Sequence, residues 1–325
     1  MGVSSAVEVE INIVSGSRNY LHRHHYHFER RSMITPPRTA YDQLTETSPV
    51  LSVEVREAKL EYCDNKVEGS VILFLHGGLT DLRVWEPHRE IIGDQYRTIA
   101  YSQRYHGRGA WSADWPPYGV NTHSRDLIDF IEAVAAPVHL VAWSYAAHIA
   151  FDAALRRPDL FRSLFVYEPG FATYVSDQAQ QSAAQEDAMA AFGPAFLAAG
   201  SGDVENALKL LVDASGQISG YFDSQPSAVK ALQIDNARTI PELLFRQEPP
   251  PHISCAQLAS LEVPTLVAHG ANSRPMYSVV SKAAQRCIGG GEHLVIPGRN
   301  HMWPDEDPRG FVDALLRFIN VHDTD

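Results

Sequence analysis

Short, nearly continuous apolar runs recur at Val71 to Leu75, Thr98 to Tyr101, Val138 to Trp143, Ser163 to Tyr167, Thr265 to Ala268 and Leu294 to Ile296. Strands apolar on both faces belong in the middle of a parallel sheet covered by helices. Helical spacing lies between them, at Ser124 to Val134, Tyr145 to Leu155 and Pro308 to Ile319; the last carries Phe311, Leu315, Phe318 and Ile319 on one face. Strand and helix in alternation predict an α/β sheet. Upstream, the alternation Leu51, Val53, Val55 and then Leu60, Tyr62 predicts a pair of half-exposed antiparallel strands.

The long interval between Tyr167 and Thr265 breaks this rhythm and reads as helix. Asp177 to Ala199 is rich in Ala and Gln, Asp203 to Asp213 carries the stripe Leu208, Leu211, Val212, and Ser227 to Ala237 follows Pro226. We expect a helical cap over residues 171–251, returned stiffly to the sheet by Pro249, Pro250 and Pro251. The sheet domain then comprises 51–170 and 252–325. Residues 1–50 differ from both, with a His/Arg cluster (His22, Arg23, His24, His25, His27, Arg30, Arg31) followed by Pro36 and Pro37. They read as a weakly ordered extension whose histidines are solvated surface rather than metal ligands. Glu8, Glu10 and Glu29 argue against a transit peptide.

Composition narrows the function. The chain has 325 residues, 45% of them hydrophobic and 20% charged, enough for a sizeable globular core. Its net charge of -12 argues against nucleic acid or an anionic membrane as partner, since phosphate binding needs concentrated positive charge. A small neutral ligand suits it better, and a homodimer stays open. Cys63, Cys255 and Cys287 lie far apart with no CxxC spacing, and read as buried or idle thiols of a reducing compartment. With no apolar run near the ~18 residues of a membrane helix and no hydrophobic signal core, a cytoplasmic location is expected. There is no GxGxxG or P-loop to hold a nucleotide, and no metal site is expected.

Ser144 stands in Val141-Ala142-Trp143-Ser144-Tyr145-Ala146-Ala147, directly after an apolar strand and at the start of a helix. A nucleophilic serine is held there on a sharp turn, which requires small residues two before and two after it. Alanine fills both places where glycine is usual. The segment Gly2-Val3-Ser4-Ser5-Ala6 has the same small-residue spacing without that strand and helix. His76-Gly77-Gly78-Leu79 ends the first buried strand, where glycines let backbone N–H groups face a cavity. A developing oxyanion needs two such donors, assigned to the amide of Gly78 or Leu79 and that of Tyr145. His301, in Ile296-Pro297-Gly298-Arg299-Asn300-His301 after the last strand, is the general-base candidate.

Together His76-Gly77-Gly78, the turn Arg104-Tyr105-His106-Gly107, the Ser144 elbow and the Pro297-to-His301 loop resemble the α/β-hydrolase superfamily from about Leu51 to the C-terminus. The resemblance implies a mostly parallel eight-stranded sheet, an inserted helical cap and a Ser, acid, His triad without cofactor. In that picture Ser144 attacks a carbonyl, His301 takes its proton, and water releases the acyl-enzyme. The acid departs from the family pattern. After the strand Thr265 to Ala268 the superfamily usually has Gly-x-x-Asp, whereas this chain reads Gly270-Ala271-Asn272-Ser273, with no ionisable group. Glu168, in Tyr167-Glu168-Pro169-Gly170, is the alternative, provided that the strands ending at Tyr167 and Ala268 are neighbours. Zearalenone lactonases are similar in layout, with a glutamate at the corresponding strand end, which makes a lactone a fair candidate substrate.

The leading expectation is hydrolysis of a carboxylic ester or lactone. A carbon–carbon bond hydrolase on the same triad and a non-catalytic ligand receptor are the alternatives. An aspartate nucleophile, as haloalkane dehalogenases and epoxide hydrolases use, is absent at Ser144. Candidate substrate contacts are Trp85, His106, Trp111, Trp143 and Trp303 from the sheet domain and Phe192, Phe196, Leu211 and Phe222 from the cap.

Overall fold

The computed structural model describes residues 49–323, together with the backbone of Val7–Glu8 and His25–Tyr26, which pair antiparallel. The expectation of a weakly ordered extension over 1–50 otherwise lies outside the described residues. Eight strands form one sheet: β1 (Leu51–Val55), β2 (Ala58–Asp64), β3 (Val71–Leu75), β4 (Arg97–Tyr101), β5 (Val138–Trp143), β6 (Phe161–Tyr167), β7 (Thr265–Gly270) and β8 (Glu292–Ile296). Their order is β8-β7-β6-β5-β3-β4-β2-β1. The β1–β2 and β2–β4 pairings are antiparallel and the other five are parallel.

The buried runs became the central strands because each is covered on both sides. One face packs on helices Val120–Val134, Tyr145–Arg156 and Pro275–Cys287, the other on Glu86–Ile92 and Pro308–His322. β3 and β5 are buried throughout, and apolar except for His139 in β5, which is bonded to Ser163 Oγ at 2.8 Å. β8 corrects the expectation for Leu294 to Ile296. It is an edge strand that begins at Glu292, with Leu294 and Ile296 half-buried and Val295 exposed. Helix Val120–Val134 starts four residues earlier than its apolar spacing suggested, because Glu248, distant in sequence, accepts the Thr122 N–H at 2.9 Å and caps its first turn.

From β3 the chain passes to β4 on one side and then crosses back to β5 on the other. Strand order reverses there, and a crevice opens at the C-terminal ends of β3 and β5, where open α/β sheets bind ligands. Between β6 and β7 lies a helical insert: Gln178–Gly200, Val204–Gly216, Tyr221–Ser224 and Ser227–Asn236, then a π turn at Glu242–Arg246. Asp177 and Asp203 cap the first two through the amides of Gln180 and Asn206. Arg83 bridges Asp81 of the sheet domain and Asp235 of the insert at 2.6 and 2.9 Å, Asn236 donates to Asp81 at 2.7 Å, and Arg274 pairs with Asp187 at 3.0 Å.

The cysteines also require a correction. Cys255 and Cys287 form a disulfide, and only Cys63 is a free thiol among the described residues, buried and pushed up to about 11 by that burial. The bond joins the start of helix Cys255–Ala259 to the end of helix Pro275–Cys287, elements brought together by packing. It removes the thiol argument for a reducing compartment. Among the described residues no helix is long and apolar enough to cross a membrane.

Two measurements test these features. Reduction, or Cys287→Ser, should lower stability by roughly 3–4 kcal/mol, from the entropy of a loop of this length, and show as a lower melting temperature under dithiothreitol. Burial holds His76 at about 4, and His88 and His123 at about 3, so each stays neutral in the fold. Their contribution is fully present above the unfolded value of about 6.5 and is lost as pH falls toward 4, because the unfolded chain takes up the protons first. The slope of unfolding free energy between pH 6.5 and 4.5 should therefore fall by about one proton in His88→Gln. An unchanged slope would show that His88 is protonated in the fold.

Candidate active site

Ser144 follows β5 directly and caps helix Tyr145–Arg156 with φ 61° and ψ −120°, a strained conformation for a side chain with a Cβ. The turn is held by Ser144 N–H donating to the Tyr167 carbonyl at 2.9 Å and Ala147 N–H to the Ser144 carbonyl at 3.0 Å. Ala142 and Ala146 are completely buried at the flanking positions, so a methyl group is small enough here. Gly77 has less room: a Cβ on it would sit 3.2 Å from both Ser144 Cβ and the Trp143 carbonyl, so the elbow would have to give by a few tenths of an ångström.

His301 sits on the loop after β8 with Nε2 3.0 Å from Ser144 Oγ and Nδ1 2.8 Å from Glu168 Oε2. Its imidazole is stacked on the Tyr277 ring at 3.8 Å and 4°, and its carbonyl accepts from Trp143 Nε1 at 3.1 Å. Glu168 is completely buried, just past β6, with φ 49°. β6 and β7 are neighbours, and Glu168 N–H donates to the Ala268 carbonyl at 3.0 Å, which brings the carboxylate to the end of β7. There its Oε1 accepts from Gly270 N–H at 2.8 Å and from Ser273 Oγ. The segment Gly270-Ala271-Asn272-Ser273 thus supplies donors to a carboxylate from the next strand, while Asn272 is exposed.

The loop after β3 is set by neutral histidines. His76 accepts the Gln103 N–H on Nε2 at 3.0 Å and donates from Nδ1 to the Gly77 carbonyl at 2.8 Å. His106 donates to the Thr80 carbonyl at 2.8 Å and accepts from Tyr118 at 3.2 Å; burial and the neighbouring imidazoles hold it well below its usual range. His123 accepts from the Tyr145 hydroxyl at 2.9 Å and donates to the Arg104 carbonyl at 3.1 Å. Leu79 has φ 60°, and Gly77, Gly78, Leu79 and Tyr145 line the cavity in front of Ser144.

That cavity measures about 370 Å³. Of the expected contacts, Trp143, Phe192, Phe196 and Leu211 line it. Trp85, His106, Trp111, Phe222 and Trp303 do not, and each has a physical reason. Trp85 and Trp303 are packed on Phe311 beneath the terminal helix, at 5.8 and 5.0 Å. His106 is spent on Thr80 and Tyr118. Trp111 packs on Tyr105 with Arg238 over its face at 4.7 Å, and Phe222 is buried with the insert's own core. The sequence reading missed Tyr277, Met276 and Met302 beside His301, and Phe171, Ser215, Gln233, Leu243, Leu244 and Gln247, all of which line the cavity. For Met276 and Tyr277 a signal existed, since they follow β7 at the sheet's C-terminal edge.

The approach of the β7 and β8 loops leaves no room at Gly270, where a Cβ would overlap the Arg299 carbonyl. Gly270→Ala should therefore displace the loop that carries His301 and cost about 1–3 kcal/mol. Gly170→Ala, with open space around the added carbon, should be nearly neutral, as thermal melting of the two variants will show.

The alpha/beta hydrolase family model matches residues 72–314. A 2-(acetamidomethylene)succinate hydrolase of Mesorhizobium japonicum is 25% identical over 270 residues, which is 79% of this chain and 90% of that protein. An epoxide hydrolase of Caballeronia sordidicola is 31% identical over 125 residues, 37% of this chain and 38% of that one. Among solved structures, a carboxylesterase of Bacillus subtilis superposes with a TM-score of 0.66 at 17% identity, covering 86% of this chain and 95% of its own. The matched span takes in the Ser144 elbow, Glu168 and His301, and the chain belongs to the alpha/beta hydrolase family.

Proposed function

We propose that the protein is a serine hydrolase that cleaves a carboxylic ester or lactone through an acyl-enzyme. The observation that carries this reading is the continuous chain from Ser144 Oγ through His301 to Glu168, with contacts of 3.0 and 2.8 Å at the mouth of an apolar cavity. Ser144 Oγ attacks the carbonyl carbon while His301 Nε2 takes its proton. The imidazolium formed is stabilised by Glu168, which also fixes the tautomer with Nδ1–H toward the carboxylate. The oxygen that gains charge is received by the amide of Tyr145 and that of Gly78 or Leu79. His301 then returns the proton to the leaving oxygen, and water activated by the same imidazole releases the acyl group.

The substrate would be small, neutral and largely apolar. Phe171, Phe192, Leu211, Leu243, Leu244 and Met276 supply apolar walls, and among the described residues no Lys, Arg, Asp or Glu lines the cavity. A succinate-derived dianion, such as the relative's name denotes, would enter without a cationic partner and lose its hydration. An epoxide opened by a carboxylate nucleophile is likewise a poor fit, since Ser144 stands at the elbow. The insert, with residues 171–251 as its bounds, acts here as a cap that selects substrate while contributing nothing to the triad.

Ser144→Ala should abolish labelling by a fluorophosphonate and lower kcat on p-nitrophenyl esters by at least ~10³ with the fold intact. Glu168→Gln should cost on the order of 10³ to 10⁴ in kcat. Ser273→Ala, which removes one donor to Glu168, should cost far less, and Asn272→Ala least. If Glu168→Gln keeps more than a tenth of the wild-type rate, His301 is oriented by another group and the assignment is wrong.

A further inference from the structure

We propose that Gln233 and Gln247 form a second polar subsite in this cavity, one that binds a hydroxyl group on a non-reacting part of the substrate. The proposal rests on the hydrolase reading and specifies its substrate class: uncharged, hydroxylated esters or lactones. Both side chains come from the insert and line the cavity, and Gln233 is 2% exposed. Among the described residues neither Gln233 Oε1 nor Gln247 Oε1 has a hydrogen-bond partner, although both atoms are buried. A buried amide oxygen that has lost water and found no donor is costly in the empty site, and a ligand that supplies the donor removes that cost.

The other polar side chains along the walls are already engaged. Ser215 Oγ donates to the Leu211 carbonyl at 2.9 Å, Thr80 Oγ1 is spent on the Gly77 carbonyl, and Ser144 and His301 hold each other. The two glutamines are thus the polar groups left for recognition. An amide offers an acceptor oxygen and a donor NH₂, and a hydroxyl can answer either. A carboxylate would need a cation, and an ammonium a carboxylate; among the described residues neither lines the cavity. The chemistry that fits is therefore a neutral hydroxyl, alcoholic or phenolic, carried on an apolar body.

The test uses the full-length protein and three matched series of p-nitrophenyl arylalkanoates, with a para hydroxyl, methyl or carboxylate on the ring and one, two or three methylenes before the carbonyl. A parallel set places the same groups on the alcohol side. At one or more lengths the hydroxyl ester should exceed its methyl partner in kcat/KM by about ten-fold, and the carboxylate ester should be the poorest. In Gln233→Leu, Gln233→Met and Gln247→Leu the hydroxyl-to-methyl ratio should fall toward one. Equal rates for hydroxyl and methyl esters at every length in the wild type would overturn the subsite, as expected if water alone satisfies the glutamines. A preference that survives in all folded variants would overturn it too. Absence of fluorophosphonate labelling and of turnover with every ester would instead overturn the hydrolase reading, and the subsite with it.

Discussion

The site depends on how closely the C-terminal ends of β3 and β5 approach each other. They are paired neighbours at the point where strand order reverses, so the turn after one lies against the turn after the other. Contact there is at the limit: a single added carbon on Gly77 would press on both Ser144 Cβ and the Trp143 carbonyl. This explains why Gly77 is glycine while Ala142 and Ala146, on the other sides of the elbow, need only be small. It also accounts for the strain at Ser144. The conformation at φ 61° is tolerated because the pairing to Tyr167 and the start of the following helix leave the backbone no other path.

The electrostatics follow from a second adjacency, that of β6 and β7. A carboxylate carried on β6 meets the same imidazole that one on β7 would meet, provided its chain crosses the end of the neighbouring strand. Glu168 does so with a positive φ and an amide bonded to Ala268. Once there it is desolvated, and burying a charge without partners is expensive. Gly270 N–H and Ser273 Oγ supply hydrogen bonds to one oxygen and leave the other for His301. The residues after β7 thus solvate the charge rather than bear it.

Legibility of this chain in sequence follows physical lines. β3 and β5 have the boundaries that their apolar runs predict, because burial on both faces keeps them apolar apart from His139 in β5. β8 was misread, since a short apolar run does not say whether a neighbour exists on its far side. Helix Val120–Val134 began early because its cap comes from Glu248, and the Cys255–Cys287 pairing was hidden for the same reason: both contacts are created by packing. Ser144, Glu168 and His301 were legible as candidates through their positions just past the ends of β5, β6 and β8. The aromatic lining was legible only in part. Sequence places Trp85 and Trp303 near the sheet's C-terminal edge, yet the face toward which each points depends on local turns, and both turn toward Phe311.

Under the proposed function, the insert could change the cavity's walls while Ser144, Glu168 and His301 stay in place. Among its ties to the sheet domain, the ionic ones lie outside the cavity lining: Asp235 and Asn236 hold Arg83 and Asp81 on one side, and Asp187 holds Arg274 on the other, beside neutral bonds such as that of Asn300 Nδ2 to the Gly216 carbonyl. The Asp81 and Arg83 side chains are almost fully buried, so removing one member would strand an uncompensated charge. Those contacts fix where the helices sit. Phe192, Phe196 and Gln233, which line the cavity, belong to the same helices but carry none of these ties, and Leu211 lines it from helix Val204–Gly216. Changes at these wall positions can therefore alter what the cavity accepts without releasing the insert from the sheet, and without moving Ser144, Glu168 or His301, which are anchored by β5, β6 and the loop after β8.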